Sequence, residues 1–151
     1  MSKTQGNLQQ AFAGESQANR RYLFFAEKAE NEGHPQIARL FRAAAEAETI
    51  HARNHFAVMG GIGSTKDSLR AAIMGEEYEF VTMYPIFIEE ARAEREEMAE
   101  TSFTFANKVE KIHHALFQKA FEALKAGQEP KAEPYFVCQA VSYTHLRAHE
   151  T

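Results

Sequence analysis

The chain has 151 residues, 44% of them apolar and 25% charged, with a formal net charge of -4. This length suits one domain with at most a short appendage, and the composition is that of an ordinary globular protein. The acidic balance, without any basic run, disfavours a nucleic-acid surface. No apolar stretch approaches the roughly 18 residues of a membrane helix, and the N-terminus lacks the apolar stretch of a secretory signal. We therefore expect a soluble cytoplasmic protein without nucleic-acid or membrane partners.

Two helices are predicted in the first half of the chain. Residues 7–32 contain no proline, and their apolar positions recur at helical spacing. Gly33 suits the position that follows a helix, and Pro35 suits the first turn of the next one. The second helix is therefore predicted over residues 35–58. Glycines and a serine at residues 60–64 form the clearest break and divide the chain into two helical halves.

The second half is predicted to form another pair of helices. The third helix begins near Lys66 or Asp67 and ends near residue 93, with a kink at Pro85 because proline removes a backbone hydrogen bond. We place the next turn at residues 94–96, although residues 91–100 can also be interpreted as continuous helix. The fourth helix is predicted to end near Ala126 and Gly127, and an extended tail follows.

An internal repeat relates the two halves. Residues 8–15 align with residues 69–76 at an offset of 61, and they share Leu, Ala, Gly and Glu. Residues 48–51 align with residues 110–113 at an offset of 62, and Phe41 matches Phe103 at the same offset. Two related helical hairpins around a pseudo-twofold axis would explain this pattern.

Each half carries one glutamate on its first helix and a Glu-x-x-His motif on its second. Residues three apart on a helix project from nearly the same face, so each motif can reach one metal ion. This is the pattern of di-iron and di-manganese carboxylate bundles. A single Glu-x-x-His is common by chance as an exposed pair, but two copies at matching repeat positions are much harder to dismiss. The predicted ligands are Glu15, Glu48, His51, Glu76, Glu110 and His113.

The residue types indicate iron or manganese. Carboxylate oxygens and imidazole are suitable ligands for these ions, and thiolate, which zinc and iron–sulfur sites favour, is absent from the pattern. Four carboxylates also balance the charge of two divalent ions. Without metal, burying four anions together would cost several kcal/mol each, which is a physical reason to expect bound cations.

These residues resemble the rubrerythrin family. The resemblance spans about residues 8–124 and is carried by Ala-Gly-Glu15-Ser-Gln-Ala followed by Tyr22, by Gly-Glu76-x-x-Glu79 followed by Met-Tyr84-Pro, and by the two Glu-x-x-His motifs. It implies an all-α, ferritin-like antiparallel four-helix bundle with a crossover between two hairpins. It also implies a centre of two iron ions and a homodimer.

The resemblance adds Glu79 as a seventh ligand. In rubrerythrins one iron moves between a histidine when reduced and this additional glutamate when oxidised, and His51 and Glu79 match that pair. Tyr22 and Tyr84 match tyrosines beside the iron site, although both can equally be ordinary core aromatics. Together His51, Glu79, Tyr22 and Tyr84 are the residues to which the resemblance assigns catalytic roles.

The implied activity is NAD(P)H-dependent peroxidase chemistry, the reduction of hydrogen peroxide to water in protection against oxidative stress. The alternatives are a ferritin-like ferroxidase or iron-handling module and, from a different class, a metal-free helical interaction module. In the family, electrons pass through a rubredoxin-like domain that binds one iron with two Cys-x-x-Cys pairs.

The C-terminal region departs from the family. Cys138 is the only cysteine, and Val141 occupies the position of its partner, so no four-thiolate iron site is expected in this chain. We therefore expect an external rubredoxin or a similar electron donor, and impaired turnover. The predicted division is a ferritin-like di-iron domain over residues 1–127, a linker with the start of a rubredoxin-like domain over 128–140, and a non-native tail over 141–151.

Overall fold

The computed structural model describes residues 2–132, 134–137 and 144–145. Most of this part is helical. The helices are α1 (Lys3–Asn31), α2 (Pro35–Val58), α3 (Thr65–Tyr78), a π-helical segment (Glu79–Met83), α4 (Tyr84–Glu94) and α5 (Glu97–Lys125). Two-residue strands, β1 (Phe136–Val137) and β2 (Thr144–His145), pair antiparallel. The predictions for Cys138 and for most of the tail lie outside the described residues.

The helix ends agree with the local sequence signals. Gly33 follows α1 with φ +82°, a conformation that glycine adopts without steric cost. Pro35 starts α2, as predicted. The hydroxyl of Ser64 accepts a hydrogen bond from the backbone N–H of Asp67 and caps α3. Arg95, with φ 62°, separates α4 from α5 at the predicted turn.

The region around Pro85 differs in detail from the prediction. The chain is helical from residue 65 to residue 94, but it widens into the π-helical segment immediately before Tyr84 and Pro85. The N–H of Tyr84 bonds the carbonyl of Glu79, five residues back instead of four. A π turn contains one more residue than an α turn, and this extra residue lies beside the proline that cannot donate a backbone bond.

The chain forms two compact units, residues 1–63 and residues 64–151, each of which contains one helical hairpin. In the first hairpin α1 packs against α2 through small side chains. Ala26 and Ala38 are fully buried, and Phe41 packs against them. Alanine methyl groups allow the helix backbones to approach closely, so backbone carbonyls of one helix come within reach of side chains on the other.

In the second hairpin α3, the π-helical segment and α4 follow one another along α5. Ala91 and Val109 are its buried apolar residues in the described part of the chain. Large apolar side chains stay exposed on both hairpins, Leu40 and Val58 on α2 and Met74 on α3 among them. None of the helices that the structure describes is both long and apolar enough to cross a membrane.

Candidate metal centre

The first hairpin brings three of the predicted ligands together. Three ligand atoms lie within 4.8 Å of one another, one each from Glu15 of α1 and from Glu48 and His51 of α2. Nδ1 of His51 lies 2.8 Å from Oε2 of Glu48, as the i, i+3 spacing on a helix predicts. The carboxylate of Glu48 is mostly buried, with 18% exposed, while the imidazole of His51 is 55% exposed.

The second hairpin repeats this arrangement. Ligand atoms of Glu76, Glu110 and His113 also lie within 4.8 Å of one another. Nδ1 of His113 lies 2.8 Å from Oε2 of Glu110 and 3.6 Å from Oε2 of Glu76. All three side chains are at most 27% exposed, so this group is better shielded from solvent than the first. We call the two sets the first and the second ligand group.

The second group carries more negative charge than its surroundings compensate. The pKa of Glu76 is raised to about 7, first by burial and then by a hydrogen bond with Glu110 and by the charge of Glu110, although His113 acts in the opposite direction. Oε2 of Glu76 is buried and accepts no hydrogen bond from the residues that the structure describes. A buried carboxylate oxygen without a donor costs free energy that a cation would recover. The donor set therefore fits a divalent metal ion.

Glu79 and Tyr84 are close enough to the same carboxylates for the carboxylate charges to change their pKa values. Burial and then the charge of Glu110 raise the pKa of Glu79, while His113 lowers it. Burial also raises the pKa of Tyr84, followed by the charges of Glu110, Glu79 and Glu76. Both side chains thus lie in the electrostatic field of the second group. Tyr84 remains a protonated phenol at neutral pH and can donate a hydrogen bond.

Tyr22 occupies the matching position in the first hairpin. Its ring lies 6.4 Å from Phe25 and 6.1 Å from Phe41, and those two phenylalanines are 5.5 Å apart. The second hairpin contains the same triad, formed by Tyr84, Phe87 and Phe103. All three positions are related by the offset of 62. In the described part of the chain neither tyrosine hydroxyl bonds a carboxylate, so the structure shows packing by both residues.

The π-helical segment explains why the repeat has two offsets. Glu15 and Glu76 are related by 61, whereas Tyr22 and Tyr84 are related by 62. One residue has therefore been added between Glu76 and Tyr84, and the π-helical segment over Glu79–Met83 accommodates it. Glu79 stands at the start of this wider turn. The first hairpin continues as regular α-helix here and has no corresponding acidic side chain in its ligand group.

Replacement of Glu76 by glutamine should stabilise the metal-free protein. The folded-state pKa of Glu76 lies above its ordinary value of 4.5, so the unfolded chain loses the proton more readily. Wild-type stability should therefore fall as the pH rises from about 4.5 to about 7. We expect Glu76→Gln to gain about 1 kcal/mol at pH 8, near the upper value for screened charges. This gain corresponds to about 2–4 °C in the unfolding midpoint.

Thermal unfolding of metal-free protein at pH 4 and pH 8 tests this expectation. The advantage of Glu76→Gln should be present at pH 8 and absent at pH 4. Glu77→Gln is the matched control, because Glu77 is exposed on the same helix. An equal gain in both variants at pH 8 would contradict the prediction that ionised Glu76 is the source of the lost stability.

Sequence reasoning overlooked Asn19. Its side-chain amide donates hydrogen bonds to the carbonyl of Ala45 and to the hydroxyl of Thr49, both at 2.8 Å. The available signal was its spacing, since Asn19 lies one helical turn after Glu15 and hence on the same face of α1. Asparagine within a helix usually points to solvent, so the spacing alone did not indicate a contact.

Comparisons with known proteins agree with this arrangement. A family profile described as Rubrerythrin matches residues 6–121. Rubrerythrin-2 of Clostridium acetobutylicum is 40% identical to this chain, over 92% of the chain and 83% of that protein. Rubrerythrin of Porphyromonas gingivalis is 42% identical, over 74% of the chain and 62% of that protein. A solved structure of fully reduced, all-ferrous nigerythrin is 32% identical, with a TM-score of 0.53, over 96% of this chain and 77% of that one. The predicted ferritin-like fold class is thereby confirmed.

Proposed function

Because the chain belongs to the rubrerythrin family, we propose that it is a non-haem di-iron peroxidase that reduces hydrogen peroxide to water. The observation that carries this proposal is the repeated ligand group, in which two carboxylates and one imidazole meet within 4.8 Å on each hairpin. Carboxylate oxygens with imidazole suit ferrous and ferric ions. The all-ferrous state of the similar nigerythrin structure supports iron over manganese.

Six residues of the two groups and Glu79 would hold the iron pair. When bound, the pair would supply the two electrons that convert one hydrogen peroxide and two protons into two waters. Glu79 and His51 would serve as alternative ligands in the oxidised and reduced states, because an anionic oxygen stabilises ferric iron more than a neutral nitrogen does. Glu79 suits this role through its place beside Glu110 and His113.

Protons for the reaction would come from water or from a protonated carboxyl near the iron pair. The pKa of Glu76, about 7 in the metal-free protein, shows that this environment holds a proton on a carboxyl near neutral pH. Metal binding by Glu76 must displace that proton. Tyr84 keeps its phenolic proton and can orient a carboxylate or a water beside the ligands.

We propose that electrons come from a rubredoxin or a similar iron–sulfur protein outside the di-iron domain, with NAD(P)H as the ultimate source, because the chain belongs to the rubrerythrin family. The di-iron domain would comprise residues 1–127, residues 128–140 would be the linker and start of a rubredoxin-like domain, and residues 141–151 a non-native tail. We place the protein in the cytoplasm, in defence against peroxide.

Anaerobic stopped-flow mixing tests the proposed reaction. We expect the di-ferrous protein to be oxidised at least about 10-fold faster by hydrogen peroxide than by dioxygen at equal concentration. The peroxide reaction should consume one equivalent per iron pair, because each iron gives one electron. Equal rates with both oxidants would contradict a peroxidase, and faster oxidation by dioxygen would favour the ferroxidase alternative.

Assembly provides a second discriminating measurement. We propose a homodimer, since exposed apolar side chains such as Leu40 (69%) and Val58 (72%) are typical of an interaction surface. Light scattering with size-exclusion chromatography should give twice the mass of the chain. Large hollow cages would instead favour iron storage.

A further inference from the structure

The first ligand group depends on two different helices. Glu15 comes from α1, whereas Glu48 and His51 come from α2. The i, i+3 spacing holds the last two together within one helix, but no local rule holds Glu15 at their side. Its position requires a fixed register of α1 against α2. Because each residue along a helix adds 1.5 Å, a slide of a single residue would change the distances between Glu15 and the ligand atoms of α2, which now lie within 4.8 Å, by up to about 1.5 Å.

Asn19 is the residue that fixes this register. Its amide reaches across from α1 and donates to the carbonyl of Ala45 and to the hydroxyl of Thr49 at 2.8 Å each. Thr49 in turn donates to the same carbonyl at 3.1 Å. Ala45 is buried with only 1% exposed, and its small methyl group leaves its carbonyl accessible to a side chain of the facing helix.

Asn19, Ala45 and Thr49 are close to the ligands in the sequence. Asn19 lies four residues after Glu15, Ala45 lies three residues before Glu48, and Thr49 directly follows Glu48. The amide thus joins the ligand-bearing turn of α1 to the ligand-bearing turn of α2. Groups that hydrogen-bond to metal ligands set ligand orientation, and their mutation typically changes metal affinity about 10- to 100-fold. Asn19 bonds the turns that carry the ligands instead of the ligands themselves, and we take the same range as the expected effect.

Among the described residues, the second hairpin has no such connection. At the repeat offsets, Phe80 corresponds to Asn19, and Asn107 corresponds to Ala45. Phe80 packs edge-on against the ring of His114 at 5.4 Å, and Oδ1 of Asn107 is buried without a hydrogen-bond partner. Within the part of the chain that the structure describes, an amide bridge at this position is therefore found in the first hairpin and not in the second. A test on Asn19 can consequently use the second ligand group as its internal reference.

We propose that Asn19 is a positioning residue for the metal site of the first hairpin, where its amide holds Glu15 in register with Glu48 and His51. This role rests on the proposed metal centre, but it concerns one side chain outside the ligand set. It predicts that Asn19→Leu weakens metal binding at the first ligand group and leaves the second unchanged. Leucine has a similar size and cannot donate a hydrogen bond.

Cobalt titration of the full-length, metal-free chain tests this proposal. Co²⁺ serves as the probe because its visible absorption reports binding, and because it shifts the proton resonances of a ligating imidazole. The shifted signals that a His51→Gln variant lacks belong to the first group. For wild type we expect two Co²⁺ per chain. For Asn19→Leu we expect about 10- to 100-fold weaker binding in the step that shifts His51, and no change in the other step.

Two further variants separate positioning from general stability. Asn54→Leu makes the same substitution at an exposed residue of α2 that has no side-chain hydrogen bond among the described residues, and it should bind both ions as wild type does. Thr49→Val keeps the side-chain shape and removes the hydroxyl, which accepts a hydrogen bond from Asn19 and donates one to the carbonyl of Ala45. The double variant Asn19→Leu/Thr49→Val should bind no more weakly than Asn19→Leu, because Thr49 acts through Asn19. If Asn19→Leu does not fold, Thr49→Val alone provides the test. Weaker Co²⁺ binding at the first ligand group only would then support the proposal, and wild-type binding at both groups would overturn it.

The outcomes distinguish this proposal from the metal centre itself. Wild-type affinity in both steps for Asn19→Leu would overturn the role of Asn19 and leave the two-metal centre intact. Equal losses in Asn19→Leu and Asn54→Leu would also overturn it, because a general helix effect would then suffice. Absence of Co²⁺ binding by wild type would overturn both.

Discussion

Removal of the extra residue in the π-helical segment is expected to slow oxidation of the di-ferrous protein by peroxide about 100-fold. Deletion of Val81 would restore the seven-residue spacing from glutamate to tyrosine that the first hairpin has between Glu15 and Tyr22. Glu76 and Tyr84 can then keep their places on a regular α-helix, but Glu79 must rotate away from Glu110 and His113. Misplacement of a reacting group by about 1 Å can cost about 100-fold in rate.

The deletion requires a second change. Pro85 would clash with the preceding turn of an uninterrupted α-helix, at a cost of about 3 kcal/mol. Leu23 is its counterpart at the offset of 62, so Pro85→Leu should accompany the deletion and also be measured alone. Pro85→Leu alone keeps the extra residue and should react at the wild-type rate.

Glu79→Gln should reproduce the slow reaction of the deletion variant, with both metal ions still bound. Stopped-flow rates and metal content of the three variants provide the comparison. A wild-type rate in the deletion variant would show that neither the π turn nor Glu79 has a role in the reaction.

The hairpins could be predicted because their signals are local. Gly33 and Pro35 mark the end of one helix and the start of the next, and the structure begins α2 at the predicted residue. The pairing of Glu48 with His51, and of Glu110 with His113, follows from helical spacing alone. Only the contributions of Glu15 and Glu76 needed the repeat, since no local rule connects the first helix of a hairpin with the second.

The π-helical segment was not predicted, although the change of offset from 61 to 62 was visible in the sequence. An added residue can be accommodated by a loop, a kink or a wider turn, and π-helices are rare enough that a proline kink was the natural interpretation. The added residue must lie in a turn where it allows Glu76 and Tyr84 both to face α5. That choice is made by tertiary packing and not by local propensity.

Replacement of Glu110 by glutamine is expected to have the largest effect on metal binding. Glu110 lies 2.8 Å from His113, bonds Glu76, and raises the pKa of Glu79 and of Tyr84. We expect about 100-fold weaker Co²⁺ binding at the second ligand group. At a metal concentration near 1,000 times the wild-type Kd, binding stabilises by about 4 kcal/mol, and the variant would lose about 2.7 kcal/mol of this. The unfolding midpoint with metal should fall by about 5–11 °C.

The metal-free protein should respond in the opposite direction. Without metal, Glu110→Gln removes one of the charges that raise the pKa of Glu76, so the variant should unfold at a higher temperature than wild type at pH 8. Glu122→Gln, an exposed change on the same helix, should alter neither measurement. Cation binding explains a side chain that destabilises the metal-free protein and stabilises the metal-loaded protein. A metal-free interaction module instead predicts that Glu110→Gln shifts the unfolding midpoint in the same direction with and without metal. If both midpoints shifted together, the second ligand group would be an ordinary polar cluster.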